Sequence, residues 1–435
     1  MTAFQADFQP TREAALALDA GDELAPYRDQ FCLPQTDGQP VVYLCGHSLG
    51  LQPKIVREYI DEELQDWAML GVEGHFNARR PWLSYHETLT AQTARLVGAK
   101  PAEVVVMNSL TVNMHLMLVS FYRPTPARFK ILIEADAFPS DRYAAESHLK
   151  WHGYDPQDAL LTLQPRPGEA AVRQEDIAAL LRREGETIAL IWLGGVNYYT
   201  GQVFDMADIT AIGHAQGCVV GFDLAHAAGN IILQLHDWDV DCAVWCSYKY
   251  LNAGPGAAAG CFVHERYANR PDLPRLAGWW GHNKDTRFQM PADFDPIAGA
   301  EGWQISNPPI FQLAALRASM DLFDRAGMTR LRAKSERLTG YLDYLIRDRD
   351  LPGVTRITSD DPAQRGAQLS LHIKEHGRAL HQRLTDAHII CDWREPDVIR
   401  VAPVPLYNTF VDVLTFANAL EAAHREVLVS SLSSS

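Results

Sequence analysis

Between about residues 90 and 270 the chain alternates short, almost continuously apolar runs with stretches of helical periodicity. Such alternation restricts the fold to a parallel sheet covered by helices. The runs are Val104-Val105-Val106-Met107, Ile131-Leu132-Ile133, Ile188 through Leu193, Cys218 through Phe222, and Ala243-Val244-Trp245-Cys246. Uninterrupted apolar character suits strands buried on both faces. Ala207 to Gly217 carries apolar residues at helical spacing and ends in glycine, which fits a crossover helix with a glycine stop.

Beyond the sheet region the pattern changes. From Ile310 to about Asp348 leucines recur at spacings of three and four, interrupted near Gly327, which predicts helices leading out of the sheet domain. Gln368 to Ile373 then alternates like a half-buried strand, and Val411 to Val427 reads as a closing helix. The expected fold class is α/β, a mostly parallel sheet covered by helices, with a smaller α+β C-terminal domain. We divide the chain into an N-terminal segment, 1–50, packing with the small domain; a large domain, 51–320; the small domain, 321–428; and a loose, serine-rich tail, 429–435. A chain of 435 residues exceeds what one core usually organises, and 47 % hydrophobic content supplies both.

The formal charge of -15 is spread without long like-charge runs, which argues against nucleic acid or an anionic membrane as partner. Small molecules fit better. The seven cysteines form neither a disulfide framework nor a C-x-x-C metal pair, so we expect a reducing compartment, no metal and a cytoplasmic protein. No stretch reaches the roughly 18 apolar residues of a membrane span, and no repeat is visible.

Open α/β sheets bind ligands beyond the carboxyl ends of their strands, so the polar residues after each run come first. Asp223 follows Phe222, with His226 three residues on; Ser247-Tyr248-Lys249 follows Cys246; glycines at 254, 256 and 260 come next. An amine and a carboxylate after two successive strands match the needs of pyridoxal phosphate. The lysine anchors it and moves protons, and the carboxylate keeps the pyridine nitrogen protonated so that the ring draws electrons. The glycines would let the chain turn beside the cofactor. Asn108-Ser109-Leu110-Thr111, opening a helix, offers N–H and hydroxyl groups to a phosphate.

Taken singly, each of these residues has an ordinary explanation. A lysine after a strand is commonly solvated, an aspartate there commonly caps a helix, and a histidine such as His226 is commonly structural. Cys242 and Cys246 belong to a buried strand as core residues. Only the joint occurrence of Lys249 and Asp223 carries weight. The glycine stretch lacks the Lys-Ser/Thr of a phosphate-cradling loop and the acidic residue of a dinucleotide fingerprint.

The segment Ser247-Tyr248-Lys249-Tyr250-Leu251-Asn252 resembles the cofactor-lysine segment of the kynureninase family, within the aspartate-aminotransferase fold type. Similar stretches run in order through Tyr43 to Gly50, Arg80-Pro81-Trp82, Phe138-Pro139-Ser140-Asp141, Asp223-Leu224-Ala225-His226, Gly278 to His282, Ile305 to Pro309 and Ile399 to Pro403. Together they cover nearly the whole chain.

The resemblance implies a pyridoxal-phosphate enzyme that hydrolyses the Cβ–Cγ bond of kynurenine or 3-hydroxykynurenine to alanine and an anthranilate, in tryptophan degradation and NAD biosynthesis. It makes Lys249 the Schiff-base lysine, Tyr248 a phosphate contact and proton donor, and Asp223 the partner of the pyridinium nitrogen. His226 and Asp141 approach the ring's polar edge, Phe138 stacks on its face, and Ser140 also binds the cofactor. Leu110, Thr111 and Gly194 match phosphate-segment positions, while Trp279 and Asn307 reach the site from the other subunit of a homodimer. Arg400 holds the substrate α-carboxylate. Ser48, His75 and Asn307 fall where the aromatic ring lies; polar side chains there suit a hydroxylated ring, which favours 3-hydroxykynurenine.

Two positions depart from the family's pattern. His47 replaces an asparagine beside Ser48, which bears on aryl specificity. Gly194 replaces a serine or threonine, removing one hydrogen bond to the cofactor. An aminotransferase or a cysteine desulfurase of the same fold would also use Lys249 and Asp223; the desulfurase needs a mobile cysteine, for which only Cys391 stands in the last third. A non-enzymatic binding protein is disfavoured by the intact Lys249 and Asp223.

Overall fold

The apolar runs do become one sheet. The computed structural model describes residues 8–432. Strands β1 (Val104–Met107), β2 (Lys130–Glu134), β3 (Leu160–Leu163), β4 (Ile188–Gly194), β5 (Val219–Asp223), β6 (Cys242–Trp245) and β7 (Ala259–Val263) join in the order β1-β7-β6-β5-β4-β2-β3. Strand β7 runs antiparallel to both neighbours, and every other pairing is parallel. All residues of β1, β6 and β7 are buried, as continuous apolar runs require. The crossover helix spans Met206–Ala215; Asp205 caps its start by accepting from the Asp208 N–H, and Gly217 follows its end at φ 76°.

The glycine stretch is a correction. Gly254 and Gly256 take left-handed φ values of 89° and 68° where the chain turns from β6 towards β7, and neither lines the cavity into which Lys249 projects. The stretch then continues as β7 itself, which its glycine and alanine content conceals. Pairing on both edges overrides that weak propensity. A Cβ at Gly260 would stand 2.1 Å from the Trp245 ring. Gly260→Ala is therefore expected to destabilise the protein by at least about 1–3 kcal/mol through overpacking, read as a lower urea midpoint.

The chain folds into two compact units. One takes Val56–Tyr198 and Phe204–Asp321; the other takes the chain up to Ile55, Tyr199–Val203 and everything from Leu322 onward. In the second unit, strands Val354–Arg356, Leu369–Ile373, Val398–Val401 and Asp392–Arg394 form an antiparallel sheet in that order. Helix Met328–Arg349 follows helix Ile310–Ala326 after a break at Gly327, φ 76°. Leu338, Leu342 and Leu345 pack with Leu369, Leu371, Ile399 and Phe416 in this unit's core.

The closing helix runs Phe410–Leu432, past the expected end at Val427. The loose tail expected from 429 is thus helical as far as 432, and 433–435 lie outside the described residues. Once Phe410, Leu414, Phe416 and Leu420 are fixed in the core, each further residue adds a hydrogen bond without a new nucleation cost. No helix among the described residues is long and apolar enough to cross a membrane.

Candidate active site

Lys249 lies in the loop that leaves β6. The loop is tied by Asn252 N–H to Lys249 O (3.0 Å) and Ala253 N–H to Ser247 O (3.0 Å), with Asn252 at φ 53°. The ammonium points into a cavity, with Nζ 5.8 Å from the Phe138 ring centre and 5.9 Å from that of Tyr248. Phe138 immediately precedes helix Pro139–Trp151 and meets the Tyr198 ring edge-on, centroids 5.3 Å apart.

Leu110, Thr111, Phe138, Ser140, Asp141, Gly194, Asp223, His226, Tyr248 and Lys249, named from sequence for the cofactor, all line this one cavity. Trp279 and Asn307 do not. Leu110 and Thr111 occupy the first turn of helix Leu110–Phe121, where backbone N–H groups have no intrahelical acceptor and favour an anion. Asn108, at φ 48°, sets the turn from β1 into that helix.

The opposite chemistry is provided by two buried acids, Asp223 at a strand end and Asp141 in the first turn of helix Pro139–Trp151. Asp223 closes β5 in register with Gly194 of β4. Its Oδ1 accepts the Ala225 N–H at 2.7 Å. Burial raises its pKa, while the Ala225 N–H, the Lys249 charge and Asp141 pull it back. Asp141 accepts from Trp192 Nε1 at 3.1 Å; burial, and then the Asp223 charge, raise it well above the usual carboxylate range. Two carboxyl groups this close do not both ionise. The proton is held more strongly at Asp141, whose hydrogen bond to Asp223 pulls the Asp223 carboxyl back down. Burial, with Cys246 and Asp223 adding to it, also raises the Tyr248 phenol, so it is protonated at neutral pH.

Sequence reasoning missed Glu134, Ala137, Trp192, Val196, Asn197, Tyr198 and Ala225 as lining residues. Glu134 was findable: it ends the Ile131–Ile133 run just as Asp223 ends its own. Trp192 gave no signal, because it sits inside an apolar run.

Arg400 belongs to the second unit, on strand Val398–Val401. Asp392 Oδ2 accepts from its Nε at 2.7 Å and lies 2.5 Å from Nη2, which is also 3.3 Å from Ser48 Oγ. His47 is buried, its Nε2 3.9 Å from the same carboxylate. Burial alone would raise Asp392, but His47, Arg400 and Arg394 hold it well below its ordinary value. His75 belongs to the first unit and lies outside the cavity lining. Its Nδ1 is 3.1 Å from Val72 O and its ring is edge-on to Trp82.

Comparison with known proteins decides the family. A family model described as "Kynureninase C-terminal domain" matches residues 331–420. A curated protein named "Kynureninase" from Myxococcus xanthus (strain DK1622) is 62 % identical over 421 residues, 96 % of this chain and 99 % of that one. The chain belongs to the kynureninase family. A second relative of that name, from Koribacter versatilis (strain Ellin345), is 59 % identical over 96 % of this chain and 99 % of its own. Among solved structures, a cysteine desulfurase from Thermococcus onnurineus NA1 superposes with TM-score 0.74 at 16 % identity, covering 89 % of this chain and 95 % of that one. One from Escherichia coli gives 0.75 at 18 %, covering 92 % and 98 %. These share the fold. For this kynureninase-family chain the desulfurase alternative has no suitable thiol at Cys391, which is buried and whose pKa burial raises.

Proposed function

We propose that this member of the kynureninase family is a pyridoxal-phosphate enzyme that hydrolyses the Cβ–Cγ bond of L-kynurenine or 3-hydroxy-L-kynurenine, releasing L-alanine and an anthranilate. The observation that carries the proposal is one cavity lined by Lys249, by Asp141 and Asp223, and by the start of helix Leu110–Phe121. That donor set fits the cofactor: an amine for its aldehyde, an ionised carboxylate for its ring nitrogen, and free N–H groups for its phosphate.

When bound, pyridoxal phosphate supplies an electron sink for charge developing on the substrate. The chain's own residues do the rest. Lys249 anchors the cofactor, then takes the proton from the substrate α-carbon and returns it. Asp223 holds the proton on the ring nitrogen. Tyr248, protonated at neutral pH, donates at the γ-oxygen as water adds there, takes a proton back as the hydrate breaks the Cβ–Cγ bond, and passes it to Cβ. Arg400, oriented by Asp392, binds the α-carboxylate through its fork of donors. Ser48, His75 and Asn307 contact the aromatic ring and favour its 3-hydroxy form.

Product identity tests this reading. Equal amounts of alanine and anthranilate from kynurenine support it; a keto acid, or sulfide equivalents from cysteine, would assign an aminotransferase or a desulfurase instead. Tyr248→Phe is expected to lower kcat by about 10²-fold while the cofactor's visible band persists, measured by steady-state assay and absorbance.

The enzyme acts as a cytoplasmic homodimer in this reading. Seven free cysteines support a reducing compartment. Trp279 and Asn307, exposed and outside their own chain's cavity lining, serve the partner's cofactor. An apolar patch supports the second copy: Phe76, 56 % exposed, packs near Phe288, 52 % exposed, which meets Trp279 edge-on.

A further inference from the structure

Glu134, the last residue of β2, is a buried carboxyl that the proposed chemistry does not use. Both of its oxygens are engaged. Oε1 accepts the Gly194 N–H at 2.6 Å, and Oε2 accepts Asn197 Nδ2 at 2.5 Å. The two donors bracket the short segment after β4 that runs into Tyr198, whose ring supports Phe138 edge-on. A Cβ at Gly194 would stand 2.8 Å from Oε1, so the glycine that departs from the family's serine or threonine gives this carboxyl its room.

We propose that Glu134 is a positioning residue of the cofactor pocket, clamping the Gly194–Tyr198 segment so that Tyr198 holds Phe138 against the cofactor ring. The proposal rests on the reading that pyridoxal phosphate binds at Lys249. A carboxylate suits the task because each oxygen accepts and neither donates. A glutamine there turns an N–H₂ towards one of the two donors and leaves it without its acceptor, which is costly in a buried site. Burial pushes the Glu134 pKa up to about 7, Asp223 and Asp136 adding to the rise, and Asn197 and Gly194 opposing it. Asp141 and Lys249 are the other ionisable neighbours on the cavity wall, beside His226 and Tyr248. As pH falls through about 7, Glu134 takes up a proton, one oxygen becomes a donor, and the clamp loosens.

The test is the rate at which the holoenzyme releases pyridoxal phosphate to an excess of a scavenging apoenzyme, measured from pH 8 to pH 6. The wild type is expected to release faster as pH falls through about 7. Glu134→Gln is expected to release about tenfold faster at pH 8 and to lack that component of the pH profile, with a weakened visible circular-dichroism band. The cofactor's own ionisations are common to both proteins and cancel in the comparison. Asn197→Ala removes one donor and leaves the carboxyl, and is expected to speed release as well. Unchanged release and an unchanged pH profile in both variants would overturn the proposal while leaving the cofactor reading intact. A wild type that forms no visible band with pyridoxal phosphate would instead overturn the cofactor reading beneath it. If Glu134→Gln does not fold, Asn197→Ala alone decides: wild-type release from it overturns the clamp.

Discussion

Lys249→Ala is expected to lower kcat by at least ~10³-fold and to remove the visible absorption band of the cofactor-loaded protein. Two functions are lost together, the covalent anchor and the proton carrier at the substrate α-carbon. No other ammonium or guanidinium stands among the described residues lining the cavity, so nothing there replaces it. Fold is not expected to change, because Lys249 projects into open space and its loop is tied by backbone bonds from Asn252 and Ala253. Steady-state assay with an absorbance scan of the same preparation checks both halves of the expectation. Wild-type turnover in Lys249→Ala would contradict it.

Asp223→Asn is expected to cost about as much in kcat while leaving the lysine attachment in place. A carboxylate facing a cation at about 4 Å is worth ~4 kcal/mol at an effective dielectric of 20, roughly a thousandfold in rate if it is lost only in the transition state. The effect extends to Asp141, whose proton is held partly by the Asp223 charge. With an amide at 223 that repulsion is gone, and Asp141 titrates at lower pH than in the wild type. The expected results are an absorption band that persists with altered pH dependence, and a kcat reduced without a matching change in the amount of bound cofactor. A spectrum and a kcat both indistinguishable from wild type would remove Asp223 from the account.

Much of this was legible in the sequence, for a definite reason. Strands β1, β2, β4, β5 and β6 are almost wholly buried, so they carry unbroken apolar runs, and residues at or just past their carboxyl ends line the cavity. Lys249, Asp223 and Leu110 stand at such ends. Strand β3, a sheet-edge strand with mostly half-buried residues, left a weak pattern, and β7 was masked by glycine and alanine. The glycines at 254 and 256 do turn the chain, but the turn leads from β6 towards β7 and does not line the cavity.

What the sequence did not carry are relations across the fold. The coupling of Asp141 and Asp223 depends on the first turn of a helix meeting a strand end 82 residues away, which no local spacing encodes. Asp392 is unremarkable until Arg400, Arg394 and His47 gather round it. Glu134 ends its strand as Asp223 does, but its bonds to the Gly194 N–H and Asn197 cross to the neighbouring strand and the segment after it. The loose tail expected from composition overlooked how little a helix already seated on a core needs to extend through Leu432.

The most direct measurement is borohydride reduction of the cofactor-loaded protein followed by peptide mass mapping. The account predicts a single pyridoxyl-phosphate label, on Lys249. A label on any other lysine, or none on Lys249 under conditions where the visible band is bleached, would contradict it.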